Sequence, residues 1–271
     1  MKQARGAAAG CDRFFALVLP LGLISVVSAA PAIASGCSFE AQGEGRVASI
    51  VDARSFRLED GREIRLAGIE PVRSEKMAPE KAGPTSALWA IIAGHNVTLR
   101  GDDDTPDRYG RQQALVFLEG SDTSVQAMLL QEGEALVAGT VSDKDCASVL
   151  AAAEAAARSA KKGTWADSAV IKNAESPGDI LAGIGRFTVV EGKVLSVRQA
   201  GATTYLNFGR NWTRGFAVTI PRRMIPAFEA AGIGLKSLEN RKIRVRGWVE
   251  ARQGPRIEML RVGQLELLGG N

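Results

Sequence analysis

Between Val47 and Val51 apolar and small residues alternate, and Phe56, Leu58, Ile64, Leu66 and Ile69 carry the pattern around Glu59-Asp60-Gly61. Period-two patterning broken by an Asp-Gly turn predicts a three-strand β-meander. The period then changes. Pro84 suits a first helical position, and Ala87, Leu88, Ile91 and Ile92 form a 3.6-residue stripe that stops at Gly94. Strands are predicted at 95–100 and 112–118, on either side of the acidic loop 101–106. Ser124 is placed to cap a helix through Gln131, with Gly133 just beyond its end. Ser142 or Asp143 opens an alanine-rich helix over 147–162, stopped by Gly163.

From 168 to 184 the periodicity fails and Pro177-Gly178 intrudes, which predicts a linker. Strand patterns resume at 188–197, 203–208 and 216–220; a short helix follows at 224–231, then strands at 242–249 and 256–260. Three strands, a helix and two strands are the order of an OB barrel. The expected class is α+β, mainly β: an OB-type barrel with three helices, then a second OB-type barrel. The expected organisation is a leader at 1–34, a first domain at 37–167, a linker at 168–184 and a basic domain at 185–271.

Composition adds little about fold but much about charge. The chain of 271 residues is 45% hydrophobic, ample for globular cores. Residues 37–167 carry 15 Lys+Arg against 21 Asp+Glu, whereas 168–271 carry 16 against 8. An acidic half is joined to a basic one, so nucleic acid or another polyanion is expected as partner of the second half. Lys2, Arg5 and Arg13 precede an apolar run from Phe14 to Ala30, followed by Ala32-Ile33-Ala34. This predicts a secretory signal peptide and a periplasmic or secreted chain, without a membrane span. The run Ala34-Ser35-Gly36-Cys37 keeps a lipid anchor at Cys37 as the alternative. Past the leader only Cys37 and Cys146 remain, and in an oxidising compartment such a pair predicts a disulfide closing a loop of about 110 residues.

Three motifs carry a resemblance. They are Asp52-Ala53-Arg54-Ser55, Arg65-Leu66-Ala67-Gly68-Ile69-Glu70-Pro71-Val72-Arg73 and Asp107-Arg108-Tyr109-Gly110-Arg111. Their order and spacing resemble the staphylococcal nuclease-like (thermonuclease) family over about 120 residues. The second half is similar, more loosely, to the OB modules appended to some exported nucleases. The first resemblance implies calcium-dependent phosphodiester hydrolysis: aspartates and a backbone carbonyl hold the metal, a glutamate activates water, and two arginines stabilise charge on the phosphate. Those arginines correspond to Arg65 and Arg111, and Tyr109 to a phosphate contact.

The remaining positions depart from the pattern. A ligand aspartate is Arg54, the other ligand is Glu70, the carbonyl belongs to Pro71 and the general base is Arg73. Asp52 matches a supporting aspartate. The family's stacking tyrosines fall at Gly139 and Val141. A guanidinium in place of a ligand carboxylate changes the local charge by two where a dication would sit. Arg54 and Arg73 are therefore expected either to hold a phosphate without cleaving it, together with Tyr109, or to pair with nearby carboxylates. Neither a resident cofactor nor strong calcium binding is expected; Asp52 and Glu70 would hold Ca²⁺ only if nuclease activity survives, with Glu75 as a relocated base. The aspartates 102, 103, 104 and 107 read as a solvated turn, and His95 as structural.

In the second half, Tyr205, Arg210, Trp212 and Arg214 interleave aromatics with arginines, and Arg244 and Arg246 alternate along a strand. These residues are the expected nucleic-acid contacts. The expected function is thus an exported, degenerate thermonuclease-like protein that binds nucleic acid or another phosphorylated polymer. A working calcium-dependent nuclease and a non-enzymatic envelope module that binds proteins are the alternatives.

Overall fold

In a computed structural model, which describes residues 39–72, 84–211 and 213–269, the first half closes into a five-stranded barrel. Strands β1 (Ala41–Asp52), β2 (Ser55–Leu58) and β3 (Glu63–Leu66) form the meander, and β4 (Ile69–Pro71) leaves it. Helix α1 (Pro84–Ile92), β5 (Asn96–Arg100) and β6 (Arg111–Leu118) follow. The barrel order is β1-β2-β3-β6-β5. Closure depends on the length of β1: its first half pairs with β5 and its second with β2. The bulge at Gly43, at a φ of 123°, supplies the bend.

Next come α2 (Val125–Gln131), β7 (Ala135–Val137) and α3 (Lys144–Ser159), with β7 antiparallel to β4. The caps are those the side chains dictate. Ser124 Oγ accepts from Ala127 N at 3.2 Å, and Asp143 Oδ1 from Cys146 N at 2.8 Å. Phe56, Ile64, Leu88, Leu99 and Leu130 are completely buried in the core of this half.

The stretch expected to be a linker is structured. It contains β8 (Ile171–Asn173) and α4 (Pro177–Leu181), and β8 runs parallel to β9 (Phe187–Lys193). Aperiodicity misled here because both elements are shorter than the window that reveals a period. Beyond β9 lie β10 (Ser196–Ala200), β11 (Thr203–Asn207), β12 (Ala217–Pro221), α5 (Ile225–Ala230), β13 (Lys242–Arg252), β14 (Gly254–Glu258) and β15 (Leu265–Leu268).

Their sheet order is β10-β11-β12-β14-β13-β9-β8, with β15 added to β13. The strand expected at 188–197 is broken at Val194-Leu195 into β9 and β10. With that break taken as a bend, the order from β9 to β14 repeats that of the first barrel, including a parallel pair at the corresponding place, β3 with β6 and β12 with β14. Phe216, Phe228, Ile243 and Ile257 centre the second core.

The two halves pack as one unit within Ala34–Asn271. A small third core of Leu136, Ala157, Trp165 and Val189 joins them. Beside it, Arg246 Nη1 donates to both oxygens of Glu154, at 2.9 and 3.0 Å, and to Val137 O at 2.9 Å. Glu154 Oε1 also accepts from Val137 N at 2.7 Å, so both charges are buried and hydrogen-bonded. Among the described residues no helix is long and apolar enough to cross a membrane.

Candidate functional site

The β1–β2 turn and strand β4 bring the departing residues together. Asp52 Oδ1 accepts from Arg54 N at 2.8 Å across the two-residue turn, which aims the Arg54 side chain at Glu70 on β4. Arg54 Nη1 and Glu70 Oε1 form a direct ion pair, and both side chains are largely shielded from solvent. Burial pushes the Glu70 carboxyl above its ordinary range, and the Arg54 charge pulls it partly back. Of the two readings left open for Arg54, pairing with a carboxylate is the one observed.

Arg111 is held just as firmly. Its Nε and Nη2 reach Asp107 Oδ2 at 3.1 and 2.8 Å, and Asp107 Oδ1 accepts from the backbone N of Tyr109 and Arg111. The Arg111 side-chain bond, with those backbone bonds behind it, depresses the Asp107 carboxyl from 3.8 to about 2. Tyr109 is 65% exposed, its ring centre 4.8 Å from the Arg111 guanidinium and 4.7 Å from that of Arg108. Arg65 stands on β3 between these groups; among the described residues it has no ion pair. Arg73, the expected second anion-binding arginine, and Glu75 lie outside the described residues.

The donor set does not suit calcium. Asp52 is occupied by a backbone N–H and Glu70 by a guanidinium, which places a fixed cation against the carboxylate that would hold the metal. The acidic loop offers no substitute: Asp103 caps Thr105 N at 2.8 Å, and no cluster of metal-binding residues occurs among the described residues. His95 acts through its backbone, its carbonyl accepting from Val47 N at 3.0 Å.

The second-half residues separate into three groups. Arg244 and Arg246, expected on an exposed face, are buried: Arg244 binds Glu191 at 2.8 Å and Glu266 at 2.7 Å, and Arg246 binds Glu154. Arg246 is covered by the first half and Arg244 by carboxylates of the neighbouring strands β9 and β15, which alternation within one strand cannot reveal. Tyr205 is half-buried under the Arg256 guanidinium, 5.3 Å from its ring centre. Arg210 and Arg214 are exposed on a loop organised by Asn211 Oδ1, which accepts from Thr213 N and Arg214 N at 3.1 Å each. Trp212, like Cys37, lies outside the described residues; Cys146 is buried at the start of α3.

Arg54, Arg65, Glu70 and Arg111 open into a cleft of about 840 Å³ whose far wall belongs to the second half: Phe187, Trp248, Leu260 and Arg261. None of these four stood among the expected site residues. The signal was available for Trp248, which has the same parity as Arg244 and Arg246 on β13 and so shares their face. The cleft also explains Gly139. That residue has a φ of 72°, and a Cβ there would lie 2.3 Å from Gly263 O, so the second half occupies the room a tyrosine would need. Val141 packs its Cγ2 toward Gly68.

No curated protein matches the chain. A family model described as staphylococcal nuclease homologue matches residues 63–167, a span that includes Arg65, Glu70, Tyr109 and Arg111 and begins after Arg54. That span runs from β3 through helices α1 to α3 and is similar to the staphylococcal nuclease homologue family; β1 and β2, which complete the barrel, precede it, and the strands from β8 onward follow it.

Proposed function

We propose that the protein binds nucleic acid and does not hydrolyse it efficiently. The carrying observation is the Arg54–Glu70 pair: a guanidinium fills the position where a cation-binding carboxylate would stand, and neutralises the one that remains. Loss of a general base alone lowers rates by ~10²–10⁴. With Arg54 and Arg111 both paired, the anion-binding capacity rests on Arg65, on the N–H groups of Arg111 that Asp107 leaves, and on the exposed loop arginines Arg210 and Arg214.

A labelled single-stranded oligonucleotide, titrated at rising salt with chelator present, tests this reading. Saturable binding that weakens steeply with salt is expected, because phosphate neutralisation releases counterions. Salt-independent or absent binding would sink it and favour the protein-binding alternative. The whole chain from Cys37 onward is the material to use, since separated halves would expose the Arg246–Glu154 pair. Export and a Cys37–Cys146 disulfide belong to the same proposal; thiol counting on denatured protein should find none free, and two free thiols would remove the disulfide.

A further inference from the structure

Trp248 stands on the outer face of β13, whose inward residues Val245 and Val249 fill the second core. Its ring is 50% exposed, yet its setting is rigid. Phe187 meets it edge-on, with ring centres 6.1 Å apart and planes at 77°. The adjoining loop is pinned by buried Gln264, whose Oε1 accepts from Leu260 N at 2.7 Å and Arg261 N at 2.9 Å. Its Nε2 donates to Arg246 O and Glu258 O at 3.1 and 3.2 Å. Leu260, 36% exposed, lines the same cleft. A large aromatic side chain, half exposed and packed against Phe187, therefore shares one cleft with Arg65, Arg111 and Arg261.

The charge of that cleft narrows the ligand. Carboxylates from Asp102, Asp103, Glu250 and Glu258 line it too, so it is no general trough for polyanions. A ligand gains there only if it brings an aromatic face together with a phosphate. Resting on the nucleic-acid reading above, we propose that Trp248 is the stacking platform for an unpaired base whose phosphate is held from the opposite wall by Arg65. The second half thereby supplies the stacking surface, and the site exists only when both halves are joined.

The test compares two labelled strands of equal length on the whole chain: an ordinary single-stranded oligonucleotide and an abasic one with the same phosphates. Trp248→Ala should weaken the ordinary strand by roughly ten- to a hundred-fold, the range for a lost base–aromatic stack. Abasic binding should stay unchanged, and Trp248→Phe should retain most of the affinity. Melting curves accompany each variant. Trp248→Gln gives a second truncation if alanine perturbs folding. Equal binding of the ordinary strand by wild type and both truncations would overturn the platform and leave the proposed function standing. Equal loss of both strands would mark Trp248 as structural. A wild-type chain that binds neither strand would overturn the platform and the function together.

Discussion

Two arginine–glutamate pairs in this protein use the same chemistry in different places. Arg54–Glu70 joins a turn to a strand at the mouth of the cleft, and Arg246–Glu154 joins the two halves of the chain. The first neutralises a site; the second fixes the wall that faces it. Both are built from charges that a count by segment would assign to solvent or to ligand. The excess of 16 Lys+Arg over 8 Asp+Glu in 168–271 shows the cost of counting: two of those arginines are buried against carboxylates, one of them from the acidic half. What matters for binding is the charge left over after pairing.

The largest expected effect breaks the inter-half pair. Arg246→Ala leaves Glu154 buried with only the Val137 N–H and the partly exposed Arg158, the latter at 3.4 Å. Stranding a buried charge costs ~3–5 kcal/mol. Denaturant unfolding should register that loss, and a change under about 1 kcal/mol would mean that the pair is relaxed in solution. Arg54→Ala strands Glu70 in the same way but nearer the surface, so a smaller loss of about 1–3 kcal/mol is expected. If it equals or exceeds the Arg246 effect, the ranking of the two pairs is wrong.

The smallest effect concerns Asp107. Its carboxyl is depressed to about 2 against 3.8, so its bonding to Arg111 contributes to stability above pH 3.8 and is lost as pH falls through about 2. Carboxyl chemical shifts should titrate near the lower value in the native chain and move toward the ordinary one in Arg111→Ala. A native Asp107 titrating near 3.8 would show that the guanidinium is not held there.

Much of this was legible in the sequence. The meander, the cap at Ser124, the choice of Ser142 or Asp143 that Asp143 fills, and the run of motifs from Arg65 to Arg111 are local patterns, and local patterns survive folding. Export, the disulfide and the contributions of Arg73 and Trp212 rest on the sequence still. The misplacements share one cause: long-range contact. Nothing near Glu154 in its alanine-rich helix indicates a partner at Arg246. Nothing near Gly139 indicates that the loop at Gly263 will lie against it. Alternation along β13 placed Arg244 and Arg246 on one face, which Trp248 shares by parity. It could not say that one end of that face is covered and the other opens on a cleft.

The most direct measurement is a digestion assay on the purified chain from Cys37 onward, with single-stranded DNA, in calcium and then in chelator. The Arg54–Glu70 pair predicts binding in both conditions and no turnover above background in either. Cleavage at an ordinary enzyme rate of ~1–10³ s⁻¹, abolished by chelator, would contradict it and show that the site recruits calcium despite the guanidinium.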